Sequence, residues 1–167
     1  MNDALHHILR IITETRGIDF SSYRETFLRE QLQKRLSAAG FSTLEEYAAF
    51  VTSRPDEMSC LIRALLVNYS EFFRTPLVYA MFRDNFLPHL LHMKRNTNDR
   101  TLRVWSAGCA TGEEPYSLAM LLRECLEHEE KQWRVDIFAT DIDEQGLDFA
   151  RIAKYPEHQI QHIPYKM

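Results

Sequence analysis

Along the first 93 positions, apolar residues recur at spacings of three and four, which predicts one helix after another. Leu5, Ile8, Leu9 and Ile12 share a face before Gly17 stops the segment. Ser22 and Glu25 have the S-x-x-E spacing of a capping box, and the helix it opens carries Leu28, Leu32, Leu36 and Ala39 up to Gly40. Ser42 and Glu45 repeat the box ahead of LEEYAAFV, and Pro55 precedes a fourth apolar pattern at Met58, Leu61, Ile62, Leu65 and Leu66. Four such helices can close a bundle. Thr75 and Pro76, as N-cap and first helical residue, predict a longer helix through Val78, Met81, Phe82 and Phe86 toward Leu91, kinked or split by Pro88.

The polar run KRNTNDR at 94–100 changes the pattern, and 94–101 is expected to be a linker or loop between a helical domain, 1–93, and a second domain, 102–167. Beyond it, the apolar runs LRVWSA and VDIFAT alternate with the helical segments PYSLAMLLRECLEHEE and EQGLDFARIA. This β-α-β-α order predicts an α/β fold in which a right-handed crossover makes the strands holding Val104 and Ile137 parallel neighbours.

Composition narrows the function classes. The chain has 167 residues, 45% of them hydrophobic and 26% charged, which suits a globular protein of one domain or of a small domain with part of another. The formal net charge of -4 argues against nucleic acid or an anionic membrane as a general partner. Cys60, Cys109 and Cys125 are widely spaced and form neither a disulfide framework nor a CxxC pair, so a reducing compartment is expected. The first residues have acidic Asp3 and no uninterrupted apolar run, so neither a signal peptide nor a spanning helix is predicted, and the expected location is cytoplasmic. His89 and His92 lie three apart without a third ligand, and no metal site is assigned.

Candidate chemistry concentrates in the turn after the first strand, Ala107-Gly108-Cys109-Ala110-Thr111-Gly112-Glu113-Glu114. Two glycines there allow a ligand to approach the backbone where a helix begins. The spacing is G-x-x-x-G and no lysine follows, so this is not a Walker A loop. A dinucleotide pyrophosphate would meet two carboxylates at the helix N-terminus, which makes NAD a minor alternative. A cationic ligand bearing a ribose suits the acidity better, with Glu113 or Glu114 near the turn and Asp141 beyond the second strand; S-adenosylmethionine (SAM) has both features. A second reading stays open: the two glutamates complement the helix dipole, Thr111 and Pro115 satisfy the helix start, and Asp141 and Asp143 serve as turn and N-cap residues, Asp143 being the better cap.

VWSAGCATGEEPYSLA followed by FATDID resembles the CheR family, the protein-glutamate O-methyltransferases of chemotaxis. The resemblance extends back through NYSEFFR, similar to the family's N-x-T-x-F-F-R element, to GIDFSSYRETFLREQLQKRL, which looks like its basic helical module. It implies an all-helical N-terminal domain followed by the first β-α-β-α part of a Rossmann-like class I methyltransferase sheet. It further implies SAM contacts from Asn68, Ser70, Arg74, Glu114 and Asp141, with Ala107 and Gly108 lining the backbone approach and Arg74 near the reacting carboxylate. Ser70 stands where the family usually has Thr, keeping the hydroxyl and losing a methyl. The family's sheet has seven strands and a later R-N-x-x-x-Y-F motif. Two strands and no such motif imply an N-terminal portion whose turnover depends on further chain, each βα unit taking roughly 30 residues.

A docking surface is expected on the second helix. Arg24 and Arg35 are eleven positions apart, about 20° around a helix of 3.6 residues per turn, and Lys34 flanks them. The implied partner is the acidic cytoplasmic helices of methyl-accepting chemoreceptors. The other reading is a solvated face partly neutralised by Glu25 and Glu30. A noncatalytic receptor-binding or regulatory module that keeps this helical domain is the alternative to an enzyme.

Overall fold

The computed structural model describes residues 2–97, 99–128, 132–161 and 163. The chain divides into two compact units, Met1–Val67 and Asn68–Met167.

The first unit contains helices α1 (Asn2–Arg16), α2 (Glu25–Ala38), α3 (Leu44–Ser53) and α4 (Pro55–Leu65). Their apolar stripes meet in one core that includes Leu5, Ile8, Leu28, Leu32, Tyr47 and Leu61. Burying each aliphatic side chain contributes about 1.5 to 3 kcal/mol. Both predicted capping boxes differ from the observed starts. Helix α2 begins with Arg24 as its N-cap and no side-chain cap bond, two residues after Ser22, and the turn before it is held by Asp19, which accepts from the N–H and hydroxyl of Ser21 beside the buried Phe20. In α3 the cap is one residue later: Thr43 Oγ1 accepts from Glu46 N–H at 3.3 Å, using the second of two overlapping T/S-x-x-E spacings.

The second unit opens on an irregular segment, followed by α5 (Pro76–Met81), a π-helical turn (Phe82–Phe86) and α6 (Leu87–Asn96). The expected disturbance at Pro88 takes a specific form. Proline lacks an N–H and its ring opposes the carbonyl four residues back, and the chain responds by widening, so that Leu87 N–H bonds to Phe82 O, five back. Thr75 precedes α5 as expected, but with left-handed backbone and no side-chain cap.

The boundary expected at 94–101 is corrected: α6 runs on to Asn96, and the division falls between Val67 and Asn68. The reason is packing. Leu87 and Leu91 of α6 share a core with Leu102, Leu122, Leu126 and Trp133, so the polar run is a loop within the second unit.

Strand β1 (Thr101–Ala107) leads through a tight turn to α7 (Glu113–Cys125), then β2 (Arg134–Thr140), α8 (Glu144–Ile152) and the short α9 (Glu157–Ile160). The strands pair in parallel, with Val104 opposite Ile137 and Trp105 opposite Phe138. Trp105 and Phe138 are 72% and 58% exposed. Among the described residues no helix is long and apolar enough to cross a membrane.

Candidate functional site

The site is built where both strands end. Gly108 and Cys109 N–H groups both donate to Thr140 O, at 2.8 and 3.0 Å, folding the turn after β1 onto the end of β2. Gly108 has φ +81°, and a Cβ there would meet nothing within 4 Å, so its backbone faces open space. Gly112, at φ +99°, is different: a Cβ would lie 2.7 Å from Ala150 Cβ and 2.8 Å from the Tyr155 hydroxyl. One glycine leaves the turn bare, and the other lets α8 pack against it.

Two carboxylates frame the bare glycine. Asp141 is half-buried; its Oδ2 accepts from Ala110 N–H at 2.7 Å and its Oδ1 from Asp143 N–H at 2.8 Å, so it knits the two loops together. Glu114, itself exposed in the first turn of α7, accepts from Ser106 Oγ at 2.7 Å. Its neighbour Glu113 is buried and takes the Thr111 hydroxyl on both oxygens, at 2.9 and 2.7 Å. Thr111 therefore serves a carboxylate rather than capping α7, whose cap is Gly112. Asp143 is the N-cap of α8, as expected, accepting from Gln145 N–H at 3.2 Å. Segments 104–122 and 135–150 contain no Lys or Arg, so the two loops carry acidic side chains and no cation of their own.

The segment 68–75 is tied to these loops at two points. Asn68 Nδ2 donates to Asp143 Oδ2 at 2.6 Å, and Phe73 N–H donates to Ser117 Oγ at 2.9 Å. Ser70 is half-buried. Arg74 is exposed; its guanidinium lies 5.0 Å from the Tyr69 ring centroid and bonds Tyr69 O at 3.3 Å. Phe73 and Thr75 on either side have φ 52° and 63°. Left-handed backbone at non-glycine residues costs roughly 1 to 2 kcal/mol each and collects at functional turns. Ala107 and Gly108 are both exposed at the strand end.

Two residues of this constellation, Ser117 and Tyr155, carry no signal of it in the sequence. Ser117 sits in the middle of an ordinary helical pattern. Tyr155 follows α8 and donates its hydroxyl to Thr111 O at 2.7 Å, with Phe72, Tyr116 and Phe149 edge-on to its ring. Burial pushes the Tyr155 hydroxyl pKa up, and the Glu113 carboxylate pushes it further. Cys109 is buried in the turn; desolvation, then the Asp141 charge, raise its thiol pKa. No pattern in the sequence marks Tyr155, because its partner is a backbone carbonyl 44 positions away.

On α2, Arg24 and Lys34 are exposed, and Lys34 lines a groove floored by Leu5 and Leu32. Arg35 is not available in the same way: it forms a bidentate pair with Glu57 of α4, through Nε at 2.7 Å and through Nη2. Tyr47 of α3 donates to the same carboxylate at 2.7 Å. The expectation of Arg35 as a docking cation is corrected on this geometry. A basic last turn of α2 meets the acidic first turn of α4, and the pair locks three helices together.

Comparison with family models matches residues 68–167 to the SAM binding domain of CheR methyltransferase and residues 3–66 to its all-alpha domain. The chain belongs to the CheR methyltransferase family. Both expected halves of the fold, and S-adenosyl-L-methionine as the cofactor of the second, follow from that membership. The chain is similar to a chemotaxis protein methyltransferase of Borreliella burgdorferi, 33% identical over 97% of this chain and 58% of the relative. It is also similar to a chemotaxis protein methyltransferase 2 of Pseudomonas aeruginosa, 32% identical over 89% of this chain and 50% of that one. A chemotaxis protein methyltransferase of Escherichia coli is 30% identical over 98% of this chain and 54% of its own length. The CheR-family chain thus spans about half the length of the curated relatives it matches. The two model matches meet between residues 66 and 68, where the structure itself divides.

Proposed function

We propose that this chain provides the cofactor-binding portion and the helical docking domain of a SAM-dependent methyltransferase that methylates glutamate side chains of chemoreceptors. The observation that carries the reading is the bare backbone of Gly108 between two loops that carry the carboxylates Glu114 and Asp141 and have no Lys or Arg of their own. Acidic loops around an open backbone favour a cationic nucleoside and disfavour a pyrophosphate. Asn68, Ser70, Arg74, Glu114 and Asp141, with the backbone of Ala107 and Gly108, are the residues we assign to holding it.

When bound, SAM supplies a methyl group activated by a sulfonium sulfur. The nucleophile needs no base, since a free glutamate with pKa about 4.3 is already ionised at pH 7. What the chain contributes is orientation and exclusion of water; pairing reactants at about 3 to 3.5 Å is worth several kcal/mol. Arg74, exposed and fixed on a strained turn, is assigned the substrate carboxylate. On the first unit, Arg24 and Lys34 are assigned to acidic receptor helices, without Arg35.

Turnover on this reading also requires cover over the sheet. Trp105 and Phe138 form an exposed cross-strand apolar pair, and a solvated aromatic face of this kind is a surface for further structure.

Calorimetric titration with S-adenosylhomocysteine tests the reading. Wild type should bind, and Glu114→Ala should weaken binding about tenfold, the worth of one hydrogen bond to a charged group. Binding unchanged in both Glu114→Ala and Asp141→Ala would remove the site. Binding of NAD in place of the homocysteine analogue would favour a dinucleotide domain. Homocysteine-analogue binding with receptor binding and no turnover would favour the noncatalytic module.

A further inference from the structure

The turn that carries Arg74 has left-handed backbone on both sides, at Phe73 and Thr75, and neither residue is glycine. Such a turn persists only where its neighbours over-determine it. Ser117 is the neighbour that does so. It is fully buried in α7, its hydroxyl donates to Glu113 O one turn back at 2.6 Å, and it accepts the Phe73 N–H at 2.9 Å.

Back-bonding to the preceding turn is ordinary for a helical serine. The second bond is not, because it reaches a backbone amide 44 positions earlier in the chain. With its proton directed to Glu113 O, the oxygen turns a lone pair toward Phe73. Tyr79 completes the support: its ring meets Phe73 edge-on at 5.1 Å. Helix α7 is also the helix that carries Glu114 in its first turn. One hydroxyl therefore joins the Arg74 turn to the element bearing the cofactor carboxylate.

We propose that Ser117 is a positioning residue for Arg74, setting the arginine turn in register with the cofactor-binding end of α7 through the Phe73 amide. The proposal rests on the reading that Arg74 belongs to the cofactor and substrate site.

The test is a double-mutant cycle on S-adenosylhomocysteine affinity, with Arg74→Ala, Ser117→Ala and the double variant, and Tm measured on each. Arg74→Ala should weaken binding about tenfold and Ser117→Ala by a similar factor, while the double variant should bind no more weakly than Arg74→Ala alone. A merely structural serine would lower Tm and leave the two losses to multiply. Multiplying losses, or wild-type binding by Ser117→Ala, overturns the proposal and leaves the site reading standing. Wild-type binding by Arg74→Ala overturns the site reading and this proposal with it. Should Ser117→Ala not fold, Ser117→Cys, similar in size and a poorer acceptor, takes its place in the same cycle.

Discussion

Asn68 Nδ2 lies 2.6 Å from Asp143 Oδ2, so the first residue of the second unit holds the carboxylate that caps α8. The same aspartate receives an Asp141 contact through its own N–H, which makes Asn68 the outermost member of a chain running to Ala110 in the glycine turn. Hydrogen bonds to charged groups contribute about 1.5 to 3 kcal/mol, and Asn68 is exposed enough for water to offset part of that. Asn68→Ala should therefore lower stability by about 1.5 kcal/mol, read as a shifted urea midpoint at unchanged m-value. Asn68→Asp should cost more, because it sets a second carboxylate against the first. An unchanged midpoint in both would mean that the contact does not hold the loop.

The Arg35–Glu57 pair predicts an acid-sensitive first unit. Arg35 holds the Glu57 carboxyl below the usual carboxylate range; burial opposes this and the Tyr47 hydroxyl adds to it. A group whose folded pKa is depressed stabilises the fold above its unfolded value, about 4.3, and that contribution is lost as pH falls through the folded value. Unfolding of Glu57→Gln followed between pH 7 and pH 2 should show a flatter decline below about pH 4.3 than wild type. Arg35→Ala should destabilise by about 2 kcal/mol at pH 7, since it leaves a largely buried carboxylate with only the tyrosine donor. Parallel pH curves for wild type and Glu57→Gln would show that the pair contributes nothing to acid lability.

With Arg35 committed to Glu57, the docking proposal narrows to Arg24 and Lys34. Reversing one exposed charge chiefly alters encounter with an acidic partner and its salt dependence. Arg24→Glu should weaken receptor binding several-fold at low ionic strength, with the difference shrinking toward 0.5 M salt. S-adenosylhomocysteine affinity should not change. Equal receptor affinity for wild type and Arg24→Glu at low salt would return this face of α2 to plain solvation.

How much of this was legible in the sequence depends on the range of the interactions. Helix periodicity and the parallel strands were readable because each rests on spacing within one segment; Val104 does pair with Ile137. Caps were readable only approximately, since FSTLEEY offers two overlapping boxes and the helix uses the one opened by Thr43. The domain boundary was misplaced because a polar run marks a loop without saying which core the preceding helix joins, and Leu87 and Leu91 belong to the second. Arg35 had the right spacing for a basic stripe, but Glu57 lies 22 positions later and its approach depends on how α2 and α4 pack. Ser117 and Tyr155 act on backbone groups far away in sequence, which leaves no side-chain pattern to detect.

Gly108 and Gly112 separate ligand approach from packing within a single turn, and the same substitution at each should fail in different ways. Both have positive φ, so alanine at either is strained by roughly 1 to 2 kcal/mol. At Gly112 the added Cβ would also meet Ala150 and the Tyr155 hydroxyl at 2.7 and 2.8 Å, distances that force α8 or the tyrosine to move. Overpacking of that kind adds about 1 to 3 kcal/mol, so Gly112→Ala should lose clearly more stability than Gly108→Ala. At Gly108 the added methyl stands in open space, where the proposed nucleoside must approach the backbone. Gly108→Ala should then keep most of the fold while S-adenosylhomocysteine affinity drops about tenfold or more. Thermal unfolding and calorimetry on the two variants read the contrast directly. Full affinity in Gly108→Ala would place the ligand elsewhere than on the exposed side of this turn.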